Sequence, residues 1–161
     1  MARTDNEIGV TTSVLDRLID YEPEVSREAI ASRSKNLRQL KEALRRDLEW
    51  LLNTRQVAGG LPPELEELNR SLAAYGVPDF TNLNVASQDD QKRIQEDIEE
   101  ALRIFEPRLE SINVSFQPSS SGESKIHFRI DANLNIEPAP EPITFDTTVQ
   151  IGSGQYVVKE E

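Results

Sequence analysis

A carboxylate and a guanidinium flank a proline in the stretch Glu106-Pro107-Arg108, where the hydrophobic pattern changes from helical to strand-like. Proline disfavours the α region for the residue before it, so a helix is predicted to end at Glu106. In an extended segment, residues two apart point to the same side, so Glu106 and Arg108 can present their charges together. Two interpretations stay open: a solvated pair without a role, and a protein-interaction site at a structural corner that Pro107 rigidifies.

The residue types leave few routes to catalysis. There are no cysteines, and the single histidine, His127, falls on the polar side of a predicted strand without partners at a useful spacing. No glycine-rich phosphate loop, His-Glu-x-x-His pattern or serine elbow occurs. We therefore predict no catalytic residues, no metal site and no cofactor. A glycosidase needs only two carboxylates and stays open by composition, but Arg103 and Arg108 lie close to Glu106 in sequence and disfavour a general acid there.

Length and charge bound the class of protein. The chain has 161 residues and a formal net charge of −11, which suits one domain with its own hydrophobic core. The acidic balance argues against nucleic acid, because phosphate binding needs clustered Lys and Arg. No apolar run approaches the ~20 residues needed to cross a bilayer, and the N-terminus lacks the apolar core of a signal peptide. The sequence predicts a cytoplasmic protein without direct membrane insertion.

Hydrophobic periodicity places the corner between predicted helices and predicted strands. A leucine stripe predicts a core helix over residues 37–52, and Ser87 is predicted to cap a later helix that runs to the corner. Between them, Pro62-Pro63 opens a helix whose predicted buried stripe is Leu65, Leu68 and Leu72. Alternating apolar residues then predict three strands, at 112–116, 126–136 and 143–151.

The order of these elements predicts the fold class and the domains. The connections between strands are too short for crossover helices, so we predict an α+β fold with N-terminal helices followed by a three-stranded antiparallel sheet. Residues 1–35 are predicted to form an N-terminal arm, with a short helix at 14–20 and a linker. Residues 36–161 are predicted to form a single α+β domain.

The last predicted strand is a candidate interaction edge. Residues 143–151 follow a proline-rich connector and carry few charges that would block pairing, so their backbone could accept a strand from another chain. Thr147, Thr148 and Val149 are therefore predicted interaction residues. An ordinary edge that meets only water is the alternative.

Several motifs occur in the order seen in one protein family. They are Val14-Leu15-Asp16-Arg17-Leu18, Arg46-Asp47-Leu48-Glu49-Trp50-Leu51-Leu52-Asn53-Thr54-Arg55, Tyr75-Gly76-Val77-Pro78-Asp79-Phe80, Phe105-Glu106-Pro107-Arg108-Leu109 and Phe145-Asp146-Thr147. Through them the chain resembles TssE, the family of small baseplate wedge subunits of bacterial type VI secretion systems. That family is related to the lysozyme-like wedge protein of contractile phage tails.

The resemblance implies a structural protein and not an enzyme. TssE-like subunits sit with TssF, TssG and TssK in the wedge, at a baseplate docked on the inner membrane complex, and connect it to the contractile TssB/TssC sheath. The expected function is to join the wedge to the sheath and to help initiate sheath assembly. Glu106, Pro107 and Arg108 match the family's Glu-Pro-Arg motif. The alternative is a lysozyme-like cell-wall glycosidase that uses acidic residues.

Overall fold

The computed structural model describes residues 33–57, 59–80, 87–117, 125–150 and 154–160, together with Val14 and Leu18. Helices precede strands, and the fold is α+β as predicted. The elements are α1 (Arg33–Asn53), α2 (Glu66–Asn69), a 3-10 turn (Leu72–Ala74), α3 (Gln88–Phe105), β1 (Leu109–Gln117), β2 (Lys125–Leu134), β3 (Glu141–Gln150) and β4 (Tyr156–Glu160).

The sheet is antiparallel, with strand order β1-β2-β3-β4. The prediction of three strands is therefore wrong. The fourth strand pairs with β3 from Tyr156 opposite Val149 to Glu160 opposite Phe145. Its inward side consists of Tyr156 and Val158 alone, and two apolar residues in a five-residue segment give too little alternation to identify a strand.

β3 is an internal strand, so the predicted edge at 143–151 is wrong. It pairs with β2 along its whole length and with β4 over its second half. The backbone at Thr147, Thr148 and Val149 lies between these two neighbours, and the Thr147 side chain is only 1% exposed, within the core. No strand can be added at these three residues without displacing β4.

The core lies between the two long helices and one face of the sheet. The leucine stripe of α1 and the apolar stripe of α3 are buried as predicted, except that Leu37 and Phe105 are only partly buried. The inward residues of the strands meet them. The largest fully buried side chains are Phe128, Phe145, Leu44, Leu48, Leu52, Ile98, Leu102, Ile130, Leu134, Val77, Val114 and Val158. Burying each such side chain contributes about 1.5–3 kcal/mol to the free energy of folding. These buried side chains are therefore the main source of hydrophobic stabilisation.

The predicted helix after Pro62-Pro63 is much shorter than its pattern indicates. α2 has four residues, none buried, and Leu65 and Leu72 are 50% and 85% exposed, so the predicted buried stripe is wrong. Side chains here bind the backbone instead: Asn69 Nδ2 donates to Pro62 O at 2.8 Å, and Ser71 Oγ accepts from Ala73 N–H at 3.2 Å. Such local bonds compete with helix propagation.

The boundaries of α3 agree with the sequence prediction. Ser87 Oγ accepts a hydrogen bond from Asp90 N–H at 3.4 Å, and the helix ends at Phe105.

Among the described residues, no helix is both long and apolar enough to cross a membrane. Most of the predicted arm lies outside the described residues. Within the arm, Val14 and Leu18 are described and are helical. α1 begins at Arg33, inside the predicted linker.

Candidate protein-interaction site

The corner between α3 and β1 is fixed by backbone hydrogen bonds. Glu106 caps the helix with φ −125°, and its N–H donates to Leu102 O at 2.9 Å. Leu109 N–H donates back to Glu106 O at 3.1 Å, and Asn135 N–H donates to Arg108 O at 2.8 Å. The segment after the helix is thus held both by its own turn and by the chain that follows β2.

Glu106, Arg108 and Asp47 form an ion cluster, here called the corner cluster. Arg108 donates from Nε to Glu106 Oε1 at 2.5 Å and from Nη2 to Glu106 Oε2 at 2.6 Å. Nη2 also donates to Asp47 Oδ2 at 2.7 Å. The planar guanidinium suits this bidentate contact with a carboxylate. The predicted pairing of Glu106 with Arg108 is therefore confirmed.

The burial of the corner cluster differs from what the sequence suggests. Glu106 is 4% exposed, while the side chains of Arg108 and Asp47 are a quarter exposed and Pro107 is exposed. Glu106 therefore does not present its carboxylate to solvent, because Arg108 occupies both oxygens. Hydrogen bonding to Glu106 raises the pKa of Arg108 against the effect of burial, and Asp47 adds to the rise. The guanidinium stays charged.

Two residues of this region, Asp47 and Tyr75, could not be identified from the sequence. Asp47 comes from α1, 61 residues before Arg108, and Tyr75 packs its ring edge-on against Phe105 with centroids 5.3 Å apart. Burial raises the pKa of the Tyr75 hydroxyl, and the charges of Asp47 and Glu106 raise it further, which places the phenol near both carboxylates. Both residues lie in motifs noted above, but spacing along the chain cannot show which motifs meet.

An exposed aromatic residue adjoins the corner cluster on α1. Trp50 is 54% exposed, and the guanidinium of Arg46 lies 5.4 Å from the centroid of its ring. Arg46 Nη2 also donates to Asp47 Oδ1 at 3.1 Å. Polar contacts therefore run from Arg108 through Asp47 to Arg46 and Trp50. Exposed Trp and Arg are enriched among residues that dominate binding energy at protein interfaces.

Residues 38–139 match the family described as baseplate wedge protein gp25. The chain belongs to this family. TssE is a member of it as well, so the resemblance seen in the sequence is confirmed at the level of the family. The matched range runs from α1 past the end of β2 and includes all three residues of the corner cluster. No curated protein matches the chain.

In this wedge protein, the last residues of the motif at 46–55, which extends just past α1, bind β4. Asn53 Nδ2 donates to Tyr156 O at 2.9 Å, and Tyr156 N–H donates to Asn53 Oδ1 at 2.9 Å. Arg55 Nη2 donates to Gly154 O at 2.7 Å, and its guanidinium lies 5.5 Å from the centroid of the Tyr156 ring. These two side chains fix the start of the last strand to the helix.

The same motif holds the segment at Gly76. Val77 N–H donates to Thr54 O at 2.9 Å, and Gln56 N–H donates to Val77 O at 3.0 Å. Gly76 has φ +115°, and a Cβ there would lie 2.4 Å from Thr54 O. Only glycine fits this close approach. The motifs around Asn53 and Gly76 therefore serve to connect distant parts of the chain.

The wedge protein also has an open groove between α3 and the segment that carries α2. Its volume is about 540 Å³, and its wall on α3 includes Asp97, Glu100 and Arg103. Burial raises the pKa of Asp97, Arg93 opposes the rise, and Glu100 and Glu96 add to it. Among the described residues, no group of three or more His, Cys, Asp or Glu side chains is placed to hold a metal ion.

Proposed function

We propose that this protein is a structural subunit of a type VI secretion baseplate in the bacterial cytoplasm, which joins the wedge to the contractile sheath and helps initiate sheath assembly. Membership of the baseplate wedge family supports a structural role in a baseplate. The TssE motifs support the more specific assignment. The observation that carries it is the 2.7 Å contact of Arg108 with Asp47, which joins two of those motifs in one cluster.

The proposed wedge partners, TssF, TssG and TssK, contact the surface around the corner cluster. Pro107 and Arg108 are accessible there, and Arg46 and Trp50 extend the accessible surface along α1. Glu106 acts indirectly, because its carboxylate holds the Arg108 side chain in one orientation. A side chain that is already ordered loses less entropy when a partner binds.

The proposed link to the TssB/TssC sheath is a strand added to the sheet. The added strand cannot pair at Thr147, Thr148 and Val149, because β3 already has a neighbouring strand on both sides there. The outer strands are β1 and β4. Helix side chains bind the backbone of both: Asn53 and Arg45 of α1 bind β4, and Glu99 Oε1 of α3 accepts from Val114 N–H of β1 at 2.9 Å. We assign the sheath strand to β1 because its nine residues offer a longer edge than the five residues of β4.

Lysines on β1 test this link. Lysine on an edge strand disfavours the addition of another strand, so Ser115→Lys with Gln117→Lys should reduce the number of sheaths in cells that carry a fluorescent TssB fusion. Val157→Lys on β4 is the matched control and should leave sheath number unchanged. Normal sheaths in the folded β1 variant would overturn the assignment to β1.

The glycosidase alternative has one observation in its favour, a carboxyl of raised pKa in an open groove, at Asp97. The corner cluster offers no such group, because Arg108 occupies both oxygens of Glu106. We propose that the protein does not hydrolyse cell wall, and expect no clearing of a peptidoglycan suspension by the pure protein. Clearing that is abolished by Asp97→Asn or Glu106→Gln would establish the enzyme instead.

A further inference from the structure

The side chain of Asn53 pairs with β4 as a neighbouring strand would. A primary amide carries the same donor and acceptor as a peptide group, and Asn53 uses both on Tyr156, with two bonds of 2.9 Å. Strand residues alternate in the direction of their backbone bonds. The N–H and C=O of Tyr156 therefore face away from β3, at the outer edge of the sheet.

Other side chains of α1 continue this contact along the strand. Arg45 Nη1 donates to Val158 O at 3.5 Å, and Lys41 Nζ lies 3.5 Å from Glu160 Oε1. Tyr156, Val158 and Glu160 are alternate residues of β4. α1 binds the backbone edge at the first two and the carboxylate of the third. Asn53 is the contact that satisfies both a backbone donor and a backbone acceptor.

An uncovered edge would be a pairing site for a second copy of this chain. Two identical edge strands can pair antiparallel about a twofold axis, and unpaired edge N–H and C=O groups act as the template. The exposed side of β4 carries Val157 and Lys159, one of them apolar, which leaves only one charge on this side to oppose pairing.

We propose that Asn53 closes the β4 edge against pairing with a second copy of this chain. The inference does not depend on the proposed function, because it concerns the free protein. Its direct consequence is that loss of the Asn53 amide converts a monomer into a dimer joined through β4.

Sedimentation velocity over a wide range of protein concentration tests the proposal. Wild type should stay monomeric, and Asn53→Ala should shift to a dimer as concentration rises. Asn69→Ala is the matched control, since it also removes an asparagine amide that binds the backbone, here by donating to Pro62 O and Leu65 O, and neither carbonyl belongs to a strand. It should remain monomeric. An Asn53→Ala chain that is folded and monomeric at all concentrations would overturn the proposal.

A second substitution tests whether the dimer uses β4. Val157→Lys in the Asn53→Ala background places another positive charge beside Lys159, and like charges on paired strands are destabilising. The combined variant should return to a monomer. A dimer that persists would show association through another surface and would contradict the proposal.

Amide exchange tests in the wild type whether the edge is closed at Tyr156. In the wild type, the Tyr156 amide should exchange slowly, because its N–H is bonded to Asn53 Oδ1 although the strand is at an edge. If Asn53→Ala fails to fold, Asn53→Asp keeps the acceptor and loses the donor to Tyr156 O, and it should still dimerise at the highest concentrations. A folded Asn53→Asp chain that stays monomeric there would overturn the proposal. Exchange of the wild-type Tyr156 amide as fast as an unprotected amide would refute the closed edge.

Discussion

Arg108 holds Glu106 with two hydrogen bonds, one to each carboxylate oxygen, and leaves that carboxylate almost entirely buried. The pair stands directly after α3, and the same guanidinium reaches α1 through Asp47. Glu106 therefore acts as a structural support that orients Arg108. Only the proline and the arginine of the motif reach the surface where a partner could bind.

Removal of Glu106 should destabilise the fold more than removal of Asp47. Glu106→Ala leaves a part-buried guanidinium with one remaining carboxylate partner, and breaking a buried ion pair costs about 3 kcal/mol or more. Asp47→Ala removes a partner that is a quarter exposed, and about 1 kcal/mol is expected. Urea unfolding of both variants measures the difference in unfolding free energy.

Measured together with the single variant Arg108→Ala, the control for that experiment is the double variant Glu106→Ala with Arg108→Ala. It should lose less stability than the sum of the single losses, because residues in one hydrogen-bonded network are coupled. Additive losses would show that the two side chains act independently.

Gly76→Ala should be one of the most damaging single substitutions in the chain. The new Cβ would meet Thr54 O at 2.4 Å, and the φ of +115° is already unfavourable for an L residue. A loss of more than about 2 kcal/mol in unfolding free energy is expected. Gly59→Ala, with φ +90° and open space around the Cβ, should lose about 1 kcal/mol from backbone strain alone. Equal losses at the two glycines would argue against the close contact.

Alkaline pH should unfold the protein through Tyr156. Burial raises the pKa of its hydroxyl from 10.0 to about 12, partly opposed by Arg55. The folded state therefore keeps its phenol proton where the unfolded state loses it. This contribution to stability is complete below pH 10 and declines as the pH rises from about 10 to about 12, by about 2–3 kcal/mol.

Thermal melts at a series of alkaline pH values check the role of Tyr156. Tyr156→Phe cannot ionise, so its melting temperature should fall less steeply with pH than that of the wild type. Parallel curves for the two proteins would assign the alkaline loss to other groups.

Trp50→Ser should separate binding from stability. The side chain is more than half exposed, so the melting temperature should change little. Binding to the wedge partners should fall at least tenfold if Trp50 is a central interface residue. Leu72→Ser is the matched control, since Leu72 is even more exposed and is not a member of the corner cluster. Equal binding by both variants would remove Trp50 from the interface.

Periodic elements of this fold could be predicted from the sequence because their signals are local. The leucine stripe of α1, the alternation in β2 and the helix end before Pro107 each depend on residues close together in the chain. α2 is shorter than its pattern predicts because side-chain bonds of Asn69 and Ser71 with the backbone compete with further helix. β4 was missed because its apolar side has only two residues.

Long-range partners were not predictable in the same way. The sequence indicated that Glu106 and Arg108 lie together, two residues apart, but gave no means to choose Asp47 among many acidic residues 61 positions away. The predicted edge at Thr147 depended on the number of strands, so the missing β4 misplaced it. Which strand lies at an edge is a property of the whole sheet.

Co-purification with TssF and TssG is the most direct test of the proposed role as a wedge subunit. The untagged chain would be expressed together with tagged TssF and with TssG, purified on the tag and separated by size exclusion, and its folding when expressed alone confirmed by circular dichroism. The wild-type chain should elute with TssF and TssG in a defined ratio, and Leu72→Ser should do the same. A folded wild-type chain that elutes alone would contradict its role as a wedge subunit.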